Sequence, residues 1–196
     1  INKALFFDIN ERVVGTLNER FANSGITNAK AYVGDYTVSE TICSVLRKEL
    51  TTDSLNLVVI DPTDCSLPFQ MIRDLKGTLP KVDFLINVAI WTDYNRNVKN
   101  TLTKPDSFSK ARKKYSSFVG NNRFYDLIYA GMSDLQLRER FIEEYKTSFK
   151  TEGYSFFDFK TVENFYYIFF ASQSDRGLDF WNKATQYEFD GQGALF

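Results

Sequence analysis

Three aspartates in the first third of the chain stand where short apolar runs stop: Asp8 after "KALFF", Asp35 after "AKAYVG" and Asp61 after "LNLVVI". Carboxylates at strand ends can accept the paired hydroxyls of a ribose or an exocyclic amine, and one set beside a reacting nitrogen can orient it or take its proton. Asp61 is the most constrained, because Pro62 follows it directly. Proline brings no N–H to a ladder, so the strand must stop and leave Asp61 at its rim. There it either serves an acceptor or caps the turn that follows, since aspartate suits both tasks. The sequence contains no histidine, which removes Ser-His and Cys-His nucleophile chemistry and His-ligated metal sites from this chain, and no metal site is expected. The two cysteines, Cys43 and Cys65, have neither a disulfide framework nor zinc spacing and read as reduced thiols in a cytoplasm. Cys65, between acidic neighbours, reads as inert.

The elements that must position these groups alternate between strand and helix. Lys3 to Phe7 is a short apolar strand, followed by a helical stripe with Val13 or Val14, Leu17 and Phe21. Residues 29–35 form a second strand, and Thr37 with Glu40 has the spacing of a capping box for the next helix. Leu57 to Ile60 form the third strand, a helix covers roughly Leu67 to Leu75, and Lys81 to Trp91 form the fourth strand. From about residue 93 to 150 the pattern is helical only, with Ser133 and Gln136 as a second capping-box pair. "GYSFFDFKT" and "ENFYYIFFAS" then read as a hairpin at a sheet edge, and "GLDFWNKATQY" as a closing helix. Tyr166, Tyr167, Phe169 and Phe170 are read as the two faces of a buried strand. The expected fold class is α/β: one domain over residues 1–196, a doubly wound, mostly parallel Rossmann-like sheet with a C-terminal antiparallel hairpin and a helical insertion.

The order of acidic strand ends resembles that of Class I S-adenosylmethionine-dependent methyltransferases, beginning at their second strand. Asp61-Pro62 resembles the acidic-proline motif of amino-methylating enzymes. More specifically, "VVIDPTDCSLPFQMIRDL", "NRNVKNTL" and "YYIFFASQSDRGLDFWNKA" together resemble the three-Cys-motif partner family (TcmP), over most of the chain. The resemblance implies a methyltransferase-like fold, a bacterial and often phage-associated setting, and a radical-SAM-like protein partner that carries the three cysteines. It further implies that Asp8 holds the ribose and Asp35 the adenine of S-adenosylmethionine, with Asp61 and Pro62 at the acceptor. A strand and glycine-rich loop are expected ahead of Ile1. Where amino-methylating enzymes place an aromatic two residues beyond Pro62, this chain has Asp64, which binds a cation or repels a phosphate.

Charge adds a second theme. The net charge of −1 is unremarkable, yet from Arg96 to Arg123 eight basic residues face one acid, Asp106, a local charge of +7. Phe108, Ala111, Tyr115 and Phe118 recur there at helical spacing, with Lys110, Lys113 and Lys114 on other faces. Such a helix can meet phosphates, an acidic protein, or only water. Arg96, in "NRN", can grip a phosphate or carboxylate as a fork, or form a surface pair. No run reaches the ~18 apolar residues of a membrane span, so no membrane partner is expected. Two functions remain in view: methyl transfer to a nucleic acid, with Arg96, Lys110, Lys113 and Lys114 as its contacts, or a non-catalytic adaptor that uses the fold as a binding scaffold.

Overall fold

The computed structural model describes residues 1–89, 93–126, 131–162 and 166–186, apart from the side chains of Asn95, Arg96 and Val162. The chain divides into two compact units, Ile1–Thr51 and Thr52–Phe196.

The first unit is β1 (Ala4–Asp8), α1 (Glu11–Asn23), β2 (Ala29–Val33) and α2 (Ser39–Glu49). β1 and β2 are parallel, with Ala4 opposite Ala29 and Asp8 opposite Val33. α1 starts where the Asn10 side chain accepts the N–H groups of Arg12 and Val13 at 3.0 and 3.4 Å, a side-chain cap for otherwise unpaired donors. The capping box expected at Thr37 and Glu40 does not form. Asp35 takes the Thr37 N–H at 2.8 Å, α2 begins only at Ser39 without a side-chain cap, and Glu40 pairs with Arg47 at 2.9 Å. A carboxylate two residues upstream competed for the same donor and won.

The second unit opens with β3 (Asn56–Ile60), α3 (Phe69–Thr78) and β4 (Val82–Val88). Three helices follow, α4 (Asn95–Thr103), α5 (Ser109–Val119) and α6 (Asp134–Thr151), with a 3-10 turn at Arg123–Asp126, as the helical reading of residues 93–150 expects. β5 (Phe156–Val162), β6 (Tyr166–Ser172) and α7 (Asp175–Ala184) complete it. The strand order is β3-β4-β6-β5: β3 and β4 run parallel, and the β5–β6 hairpin joins the β4 side antiparallel. The fold is therefore α/β, but its strands form two hydrogen-bonded sheets in place of the expected single one. Two of the four strand pairings are antiparallel, because the hairpin inserts its second strand against β4; "mostly parallel" overstates the pattern.

Residue types explain the layers. β4 alternates strictly, with Val82, Phe84, Ile86 and Val88 buried and Asp83, Leu85 and Asn87 half-buried on the other face. The buried face meets α3 and α6 through aromatic rings. Phe149 stands edge-on to Phe69, Phe84, Tyr154 and Phe169 at 5.1–5.8 Å, and Phe118 stacks on Tyr145 at 4.6 Å. Such pairs add about 0.5–1.5 kcal/mol each beyond area burial, which accounts for the high Phe and Tyr content. Phe169 and Phe170 are buried on opposite faces of β6, as expected of that strand, while Tyr166 and Tyr167 are half-buried. On the opposite face Trp181 of α7 stacks on Phe170 at 5.3 Å and donates its indole N–H to Asp158 at 2.6 Å. β3 is the sheet's other margin. Among the described residues it has a neighbour on one side only, and Leu55, Leu57 and Val59 are 88%, 59% and 64% exposed.

Candidate active site

In the second unit the parallel register carries Ile60 opposite Ile86, so the next residues, Asp61 and Asn87, meet at the carboxyl ends of β3 and β4. The Asn87 side-chain amide donates to Asp61 Oδ1 at 2.5 Å. Asp61 is exposed and Pro62 beneath it is buried, the arrangement expected of a rigid rim residue. The carbonyl oxygen of the Asn87 side chain is buried and accepts no hydrogen bond from the described residues. Asn87 is thus fixed with its donor end toward Asp61, and Asp61 Oδ2 is left for an incoming N–H or O–H. Ligands of open α/β sheets bind at this kind of position, beyond the strands' carboxyl ends.

The loop after Pro62 is locked by a partner the sequence did not reveal. Asp93, nearly buried, accepts the Cys65 N–H at 3.0 Å, the Tyr115 hydroxyl at 3.1 Å and Lys114 Nζ at 2.6 Å. Lys114 reaches Asp64 Oδ2 as well, at 3.3 Å, while Asp64 Oδ1 accepts the Ser66 N–H at 3.0 Å. Burial alone would raise the Asp64 carboxyl; Ser66 and Lys114 outweigh it and hold the group below its ordinary range. Burial would likewise lower Lys114, and its bonds to Asp93 and Asp64 raise it instead. Lys114 is therefore a bridge between the loop and α5. Of the lysines expected to contact nucleic acid, Lys114 has its ammonium paired with two carboxylates, and its side chain keeps 28% of its surface. The cation that Asp64 binds is Lys114 itself. Cys65 is fully buried, and desolvation, then the Asp93 charge, push its thiol well up, so it is inert as expected.

Of the other predicted contacts, Lys110 and Lys113 are exposed on α5. Arg96 lies on α4, but its side chain is outside the described residues, as are Trp91 and its neighbours. Asn97 of the same motif donates to the Asp93 carbonyl at 3.3 Å, a local tie at the head of α4.

In the first unit Asp8 and Asp35 share one rim. Asp8 ends β1, Gly34 donates its N–H to the Asp8 carbonyl at 3.0 Å, and Asp35 follows. Each carboxylate also closes a local turn: Asp8 accepts the Asn10 N–H at 2.8 Å and Asp35 that of Thr37 at 2.8 Å. The Thr37 backbone and hydroxyl hold Asp35 below the ordinary carboxylate range. Each carboxylate is thus tied into the turn beside it. The turns after β1, β2 and β3, "DIN", "GDYT" and "DPTD", are not glycine-rich. The structure thus assembles Asp8 with Asp35 in one unit, and Asp61 with Asn87 in the other.

Sequence reasoning missed Asn87 and Asp93. Asn87 had a legible signal, a single amide inside the apolar run "FLINVAI" next to a strand end. Asp93 had none, because its partners lie more than twenty residues away on either side. No protein-family model matches the chain, and no curated protein matches it.

Proposed function

We propose that this chain is a methyltransferase-like domain of the three-Cys-motif partner type that acts on nucleic acid in a bacterial cytoplasm, beside a radical-SAM-like protein. One observation carries the reading: an exposed carboxylate, Asp61, clamped by the Asn87 amide at the carboxyl ends of two adjacent parallel strands. The element order, parallel strand pairs followed by a C-terminal antiparallel hairpin, supports a Rossmann-like methyltransferase sheet. Bound S-adenosylmethionine supplies an electrophilic methyl group. Asp8 would accept the ribose hydroxyls and Asp35, kept ionised by Thr37, the adenine amino group. Asp61 would accept an N–H of the acceptor amine, aim the nitrogen lone pair, and take the proton released as that nitrogen is alkylated. Asn87 holds Asp61 in one orientation, and Pro62 keeps β3 from continuing past it.

The test is transfer of a labelled methyl group from S-adenosylmethionine to tRNA or single-stranded DNA. Asp61→Ala abolishes incorporation and shifts the melting temperature by no more than an ordinary surface substitution, within about 0.5 kcal/mol. A large fall in stability would make Asp61 a structural cap instead. A second reading, the adaptor, is favoured by the loop beyond Pro62. Thr63 and Asp64 stand where a base-stacking aromatic is expected, and Asp64 is committed to Lys114. Calorimetric titration separates the two: heat with S-adenosylmethionine that Asp8→Ala removes supports the enzyme, and no heat with Asp8 intact supports the adaptor.

A further inference from the structure

We propose that the groove between α3 and α5 binds the sugar-phosphate backbone of a single-stranded nucleic acid; the proposal rests on the nucleic-acid half of the reading above, not on methyl transfer. The groove has a volume of about 370 Å³. Gln70 and Arg73 of α3 form one wall, Lys113, Ser116 and Ser117 of α5 the other, with Phe69 between them. It is closed by the turn at Gly120, where φ is +84° and a Cβ would stand 2.6 Å from the Phe69 ring. Only glycine lets the chain cross so near that ring. The lining chemistry is one-sided: two cations, two hydroxyls and three amides, with no acidic residue among those that line it.

Both cations are usable. Lys113 is exposed and makes no ion pair among the described residues, unlike its neighbour Lys114. Arg73 gives its Nε to Glu152 at 2.9 Å and rests on the Phe69 ring at 5.1 Å, which fixes the guanidinium plane and leaves its terminal amino groups for a second acceptor. A lone phosphate would need one cation and a few donors. Here the cationic row continues, because Lys110 is exposed one helical turn before Lys113, a rise of about 5 Å. Charges repeating along an open groove suit a polymer of phosphates, and serine hydroxyls beside them suit phosphate and sugar oxygens. No base is read by such walls, so the binding is indifferent to sequence.

The test measures fluorescence anisotropy of a labelled oligothymidylate with the full chain, without S-adenosylmethionine, across a salt series. Lys113→Glu is the informative variant, because no fold contact is lost with it. It weakens binding by about tenfold and lowers the salt slope by about one. Arg73→Gln and Lys110→Glu weaken binding in the same direction. Lys104→Glu, the same charge change at an exposed lysine outside the groove, leaves affinity within about twofold. Circular dichroism melts confirm that each variant is folded. The proposal is overturned if the parent does not bind the oligonucleotide, if Lys113→Glu binds as the parent does, or if Lys104→Glu costs as much as Lys113→Glu. It is equally overturned if polyglutamate competes as well as nucleic acid, which would make the groove a protein-docking surface. Groove-dependent binding without methyl transfer would leave this proposal standing and remove the enzymatic one; methyl transfer unaffected by Lys113→Glu would do the reverse.

Discussion

Asp83 and Asn87 lie on the same face of β4, about 13 Å apart along the strand, and their surroundings are opposite. At the Asp83 end α7 closes over the sheet. Gly177 sits so near that a Cβ would crowd Ser172 and lie 2.7 Å from the Asp83 carboxylate, which burial raises above its ordinary range against the pull of Ser172. At the Asn87 end the side-chain carbonyl oxygen of Asn87 is buried, while the neighbouring carboxylate is not. Asp61 is exposed there, bonded to one amide, and flanked by Leu57 and Val59 in the open. Two carboxylates of one sheet thus differ in setting: Asp83 is half-buried beside α7, and Asp61 is exposed and held by one amide. A place at a strand end does not decide how far a carboxylate is buried.

The contrast can be broken most forcefully from the site side. Lys114→Met leaves Asp93 buried without its counter-ion and should cost about 3 kcal/mol, somewhat less than a fully buried pair because Lys114 is partly solvated. Thermal melts across pH give a second signature. The Asp64 carboxyl is held low when folded, so its contribution is present above about pH 4 and lost as pH falls through the folded value. The acid limb of the stability profile should therefore be shallower in Lys114→Met than in the parent.

From the opposite end, Gly177→Ala tests whether α7 really presses on Ser172 and Asp83. Alanine ordinarily steadies a helix relative to glycine. Here overpacking should reverse the sign, at a cost of about 2 kcal/mol, read as a lowered denaturation midpoint. The smallest effect is expected of Asp83→Asn. Because the folded carboxyl is raised, its ionised form burdens the fold at neutral pH, and the parent regains stability as pH falls through that raised value. The amide variant should melt slightly higher at pH 7 and no higher at pH 3.

Much of this was legible in the sequence where the signal is local. The apolar runs appeared as strands, the hairpin formed, and Ser133 with Gln136 made the capping box its spacing announced. Thr37 and Glu40 carry the same spacing and made none, because Asp35 is near enough to take the donor first. Lys113 and Lys114 are adjacent and alike as letters. One is exposed beside a groove, and the other is tied to Asp64, fifty residues upstream, and Asp93, twenty-one upstream. Helical periodicity told which side of α5 is apolar, but the fate of a boundary residue such as Lys114 depended on which loop the fold brought against it. Charge counting could not see that.

β3 has a consequence for handling the molecule at the bench. Its backbone donors and acceptors on the outer side are unpaired among the described residues, its side chains are aliphatic on both faces, and neither proline nor charge interrupts Leu57 to Ile60. Such a margin is a template for like strands. Clarity of a solution of this chain should therefore depend on concentration: molecules crowded together find each other along that border, and dilute ones stay apart.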